Sequence, residues 1–165
     1  MATSILPGKG ALSAALLSAT VVLVPALVGS LATFGNLAPW YASLNKPVFT
    51  PPNWVFGPVW STLYGLMALA FWRVLTRDAD SMLARPAVFW FLIQMALNAL
   101  WSVAFFGLHS PSAGLAVIAL MIIAIVLTVI SFRRIDRLAG LLLLPYLAWV
   151  CFASALNAAV WLLNR

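Results

Sequence analysis

Polar positions are rare along this chain and fall in clusters, with long apolar stretches between them. Four runs carry no charge: Gly10–Asn45, Pro47–Trp72, Pro86–Phe132 and Leu138–Asn164. A helix needs about 20 apolar residues to cross the hydrocarbon of a bilayer, so the first, second and fourth runs hold one crossing each. The third, 47 residues long, holds two. It is interrupted by Gly107-Leu108-His109-Ser110-Pro111-Ser112, where Ser110 can cap a helix that takes Pro111 at its first position. Proline's missing N–H costs nothing there. The pattern predicts helices over 12–34, 54–75, 86–107, 111–132 and 138–163. The runs lack the alternation of barrel strands. The expected fold is therefore an all-α integral membrane protein, a single domain with a bundle of five transmembrane helices and a long structured first loop. Lys9 and the small residues Val28-Gly29-Ser30 give the first segment some features of a secretory signal, but its apolar run is too long for one and is read as helix 1.

Composition agrees with the pattern. Apolar residues make up 65% and charged residues 7%, against about a quarter charged in soluble domains, and mean hydropathy is +1.08. Of the nine basic residues, Lys9, Arg73, Arg77, Arg85, Arg133, Arg134 and Arg137 fall on one predicted side and Lys46 and Arg165 on the other. The positive-inside rule then puts the N-terminus in the cytoplasm and the first loop across the membrane, as in a bacterial inner membrane. The net charge of +6 is a topology signal, and nucleic acid is not an expected partner. No span carries Asp, Glu, Lys or Arg at its centre, which argues against a proton-coupled pump. The lone histidine, His109, lies in the third loop, no His, Cys and carboxylate set suggests a metal site, and Cys151 has no intrachain partner. Neither a catalytic triad nor a required cofactor is expected.

Tryptophan is abundant, with eight in the chain. Trp72, Trp90 and Trp161 near helix ends suit an interfacial belt, whereas Trp60, Trp101 and Trp149 lie deeper. Helical spacing puts Trp60, Tyr64, Met67 and Phe71 on one face of helix 2. By the same arithmetic Gln94, Asn98, Trp101, Ser102 and Phe105 share a face of helix 3, and Tyr146, Trp149, Ala153 and Asn157 a face of helix 5. Neutral amides and hydroxyls are costly against lipid, so the three stripes should converge. Two readings of that interior stand. The amides can serve as hydrogen-bonding glue between helices, or they can join the rings in a pocket for a planar, mostly apolar ligand such as a tetrapyrrole or a sterol. The first loop, with Pro39, Pro47, Pro51 and Pro52 among aromatic residues, is stiff. It reads either as a lid over the bundle mouth or as a segment resting on the membrane surface. Pro25, Pro58 and Pro145 each free a backbone carbonyl within a helix and can kink it.

The stretch Trp40-Tyr41 … Leu44-Asn45-Lys46-Pro47 … Pro51-Pro52 … Trp54-Val55-Phe56-Gly57-Pro58-Val59-Trp60 … Leu63-Tyr64 resembles the signature of the tryptophan-rich sensory protein and translocator protein family (TspO/MBR, the peripheral benzodiazepine receptor family). Asn98-Ala99-Leu100-Trp101-Ser102 and Leu144-Pro145-Tyr146-Leu147-Ala148-Trp149 … Ala153 … Asn157 agree with it, in the same order. The resemblance implies a five-helix bundle, usually a homodimer, that binds porphyrins such as protoporphyrin IX and haem as ligands. It further implies a pocket lined by Trp40, Tyr41, Pro51, Trp60, Tyr64, Asn98, Trp101, Tyr146, Trp149, Ala153 and Asn157. In some bacterial members light-dependent porphyrin breakdown is attributed to tryptophans matching Trp60 and Trp149. A sensor, a photo-oxidative enzyme and a porphyrin transporter are the three resulting functions, the sensor leading. The cholesterol motif of mitochondrial members requires a basic residue within five positions of Tyr146. None is present, which argues against sterol as a partner beside membrane lipid.

Overall fold

The computed structural model describes residues 9–38, 40–78 and 82–165. Pro39, expected to stiffen the first loop, and the Lys9 side chain, counted in the charge asymmetry, lie outside the described residues. Helix α1 spans Lys9–Phe34, α2 Asn53–Asp78, α3 Ala84–Ser102, α4 Pro111–Ile135, α5 Arg137–Leu142 and α6 Leu144–Leu163. Among the described residues five segments are long and apolar enough to cross a membrane, the last formed by α5 and α6 together. The chain is an integral, multi-pass membrane protein with a five-span helical bundle.

Around the bundle α1 packs on α2 and α3, α3 on α4, and α4 on α5 and α6, while α2 closes the ring chiefly through α5. Lipid is as apolar as leucine, so association rests on close packing and interhelical hydrogen bonds rather than on apolar burial. The stacked rings of Phe71, Phe91 and Phe132 knit α2, α3 and α4, with Phe71 and Phe91 centroids 4.3 Å apart. Small residues admit the closest approaches. A Cβ on Gly114 of α4 would stand 2.7 Å from the Asn157 Oδ1 of α6, and one on Gly29 of α1 would stand 3.0 Å from the Ser102 Oγ of α3.

Two helix ends have local causes. Ser110 caps α4, its hydroxyl accepting from the Ala113 N–H at 3.3 Å, with Pro111 in the first turn. Pro145 does more than kink the fifth span: the helix stops at Leu142 and restarts at Leu144 with the proline in its first turn. Proline supplies no N–H and its ring clashes with the carbonyl four residues back. Pro25 and Pro58 sit inside continuous helices. The end of α3 widens into a π-helix over Val103–Gly107, with the Leu108 N–H donating to the Val103 carbonyl at 2.8 Å. Each turn there holds an extra residue, so Phe105 and Phe106 are both buried.

Candidate ligand-binding site

At the end of the bundle under the first loop, α1, α2, α3 and α6 diverge around a cavity of about 560 Å³. That size falls in the range of small-molecule pockets, roughly 300–1,000 Å³. The π-helix and the first loop close it from above.

Seven residues expected at the site lie on its wall: Tyr41, Trp60, Tyr64, Trp101, Trp149, Ala153 and Asn157. The three stripes do converge, and their residues lower in the bundle, Met67, Phe71 and Gln94, are fully buried. Asn98 and Tyr146 are one step behind the wall. The Tyr64 hydroxyl donates to Asn98 Oδ1 at 2.9 Å, Asn98 Nδ2 donates to the Tyr146 oxygen at 3.2 Å, and the Tyr146 hydroxyl donates to Met121 Sδ at 3.3 Å. Spacing placed both residues on the right face, but the wall stops at Tyr64. They fix the phenol that faces the cavity and do not line it.

Trp40 is also off the wall, because its indole is engaged between loops. It stacks on His109 with centroids 4.7 Å apart and meets Phe105 edge-on at 5.4 Å. His109 reaches it from a left-handed backbone conformation, φ 52°, uncommon for a residue with a side chain, and its Nε2 lies 2.8 Å from Asn36 Oδ1. Pro51 lies in the irregular segment just before α2 and is not among the lining residues. The first loop covers the cavity through Leu37 and Tyr41. Farther along it is tied to the end of α6, where Asn164 accepts from the Asn45 N–H and donates to its carbonyl, both at 2.9 Å. Burial pushes the pKa of the Tyr41 hydroxyl up.

Helix α1 contributes a wall that the stripes did not announce: Ala26, Gly29, Ser30, Thr33 and Phe34. Gly29, Ser30 and Thr33 do not stand out in the sequence, because α1 also carries Ser13, Ser18, Thr20 and several alanines. Trp54, Phe56, Gly57 and Ser61 extend the wall on α2. The exposed members of the lining, Ser30, Phe34, Asn53, Trp54, Gly57 and Ser61, belong to α1 and α2. The cavity therefore opens sideways between these two helices.

Among the described residues no charged side chain lines the cavity. Trp101 Nε1 donates to Asn157 Oδ1 at 3.1 Å and Asn157 Nδ2 to the Pro111 carbonyl at 2.8 Å, so this amide locks α3 and α6 to the start of α4. The indole N–H groups of Trp60 and Trp149 and the hydroxyls of Ser61 and Ser102 have no hydrogen-bond partner among the described residues. They are free to meet acceptor groups on a ligand. Broad rings and a few neutral donors can hold a flat apolar molecule bearing peripheral oxygens, and they offer neither an acid-base pair nor an ion site.

Comparison with known proteins follows the same lines. The TspO/MBR family model matches residues 17–162. The chain is 43% identical over 155 residues to the tryptophan-rich protein TspO of Archaeoglobus fulgidus, covering 89% of this chain and 94% of that protein. It is 42% identical over 125 residues to protein CrtK of Rhodobacter capsulatus, 76% and 78% covered. With the human translocator protein it shares 37% identity over 145 residues, 84% and 85% covered.

Proposed function

Because the chain belongs to the TspO/MBR family, we propose that it is a membrane receptor and sensor that binds a porphyrin, protoporphyrin IX or haem, within the bundle and relays tetrapyrrole-linked or stress signals. The observation that carries this reading is the uncharged, tryptophan-walled cavity of about 560 Å³ with free indole N–H groups. Ring stacking contributes roughly 0.5–1.5 kcal/mol per pair, and neutral donors suit carboxylate or carbonyl groups at the edge of a macrocycle. A relative from Cereibacter sphaeroides, 38% identical, carries the name tryptophan-rich sensory protein, which supports the sensor role. Arg73, Arg77, Arg133, Arg134 and Arg137 gather at the end away from the cavity, which supports a cytoplasmic N-terminus with the cavity toward the opposite face.

The test is a titration of the purified protein with protoporphyrin IX in the dark, followed by tryptophan fluorescence. Saturable quenching is expected, weakened roughly two- to tenfold in Trp60→Phe and in Trp149→Phe, each of which removes one neutral donor. Unsaturable quenching, or unchanged affinity in both variants, would defeat the proposal. Light-dependent breakdown of the bound porphyrin is the second reading, favoured by the presence of both Trp60 and Trp149 on the wall. It requires a spectral change on illumination that is absent in darkness and lost in Trp60→Phe.

A further inference from the structure

The end of the bundle away from the cavity is organised around one carboxylate. Asp136, 4% exposed, occupies the corner between α4 and α5. Its Oδ1 accepts from the backbone N–H groups of Leu138 and Ala139 at 2.9 and 3.4 Å. Its Oδ2 is shared by Nε of Arg73 at 2.8 Å and Nε of Arg77 at 3.0 Å. One negative charge thus faces two positive ones, and the Arg77 side chain is 56% exposed.

More positive charge lies at the same corner. Arg133 and Arg134 end α4 and Arg137 begins α5; all three are exposed and have no hydrogen-bond or ion-pair partner among the described residues. Arg133 and Arg134 at least suit the negative end of the α4 dipole. Arg137 sits in a first turn, where the dipole disfavours a cation, so helix energetics do not explain it. The carboxylate that could neutralise these groups is already saturated. By sequence, the seven basic residues assigned to this side of the membrane exceed its three carboxylates.

These arginines flank the ends of apolar spans, the depth at which a bilayer presents phosphate. Guanidinium forks match phosphate geometry, and an anionic leaflet attracts basic groups near a span. We propose that the α4–α5 corner binds the phosphate of an anionic lipid headgroup, with Arg134 and Arg137 as its contacts and Arg77 completing the positive rim. Arg73 and Asp136 hold the corner in shape beneath it.

The full chain is reconstituted in nanodiscs of phosphatidylcholine with and without phosphatidylglycerol, and retained lipid is counted by native mass spectrometry after transfer to detergent. Wild type is expected to retain phosphatidylglycerol preferentially, with the preference falling about fivefold for each of Arg134→Gln and Arg137→Gln. Equal retention of the two lipids by wild type would overturn the proposal, as would a preference that survives both substitutions. Should the variants misfold, wild type alone decides through ionic strength: an exposed phosphate contact weakens as salt rises, and an unchanged preference refutes it. Competition by inorganic phosphate at fixed ionic strength that abolishes lipid retention would assign the corner to a free anion and likewise overturn the lipid source.

Discussion

Replacing Asn98 with alanine removes the middle of a relay that begins at the cavity wall and ends in the core. Two bonds vanish, from the Tyr64 hydroxyl at 2.9 Å and to the Tyr146 oxygen at 3.2 Å. Interhelical side-chain hydrogen bonds in membranes average about 0.6 kcal/mol each, and in proteins generally they reach about 1.5 kcal/mol. Tyr146, fully buried, would keep Met121 sulfur as its acceptor, while Tyr64 would be left without a partner. The expected loss is about 1–3 kcal/mol, with the Tyr64 ring released toward the cavity. Unfolding of wild type, Asn98→Ala, Tyr64→Phe and the double variant in one detergent measures the coupling. Because both changes cut the same bond, the double variant should be less destabilised than the sum of the singles by about 0.5–1.5 kcal/mol. Porphyrin affinity should fall in Asn98→Ala although its side chain is not on the wall. Additivity within about 0.3 kcal/mol, or unchanged stability in Asn98→Ala, would refute the relay.

Other substitutions probe the packing and the charged corner. Gly114→Ala puts a methyl group 2.7 Å from Asn157 Oδ1 and should cost about 1–3 kcal/mol, with weaker ligand binding as α4 and α6 separate; wild-type stability would show that the approach is not tight. Gln94 is fully buried and neither polar atom of its amide has a partner among the described residues, so Gln94→Leu should raise the unfolding free energy by about 1–2 kcal/mol, and a clear loss would mean that the amide is bonded. Burial pushes the Asp136 carboxyl up, but bonds from Arg73, Ala139 and Leu138 outweigh it and hold the group below its ordinary 3.8. Its contribution is therefore present above pH 3.8 and lost as pH falls through the lower folded value. Asp136→Asn should cost about 1–3 kcal/mol at neutral pH and flatten the acid limb of the stability curve; an unaltered limb would exclude Asp136 as its source.

What could be read from the chain follows from what periodicity encodes. It reports the face of a helix, so Trp60, Trp101, Trp149 and Asn157 were all correctly turned inward. Depth along the face is not encoded, and Asn98 and Tyr146 consequently stand behind the wall they were expected to line. Helix α1 gives no stripe because its small and hydroxyl residues recur along its length and single out no one face. The partnership of Trp40 with His109 joins two loops far apart in sequence, beyond any local pattern. At Val103–Gly107 the period itself changes: a 3.6-residue repeat brings Phe105 inward, whereas the π-helix brings Phe106 with it. The Asp136 corner is not legible in the sequence, where a lone aspartate among arginines looks like ordinary interfacial charge until the backbone supplies its other partners.

A ligand entering by a mouth between α1 and α2, beside Phe34 and Trp54, would come from the hydrocarbon around it. The concentration that governs occupancy is then moles of ligand per mole of lipid. An apolar porphyrin dilute in water but concentrated in the bilayer would fill such a site even when the intrinsic affinity is modest. A dissociation constant expressed per litre should drift with the amount of lipid or detergent, while the same constant expressed as a mole fraction should hold steady.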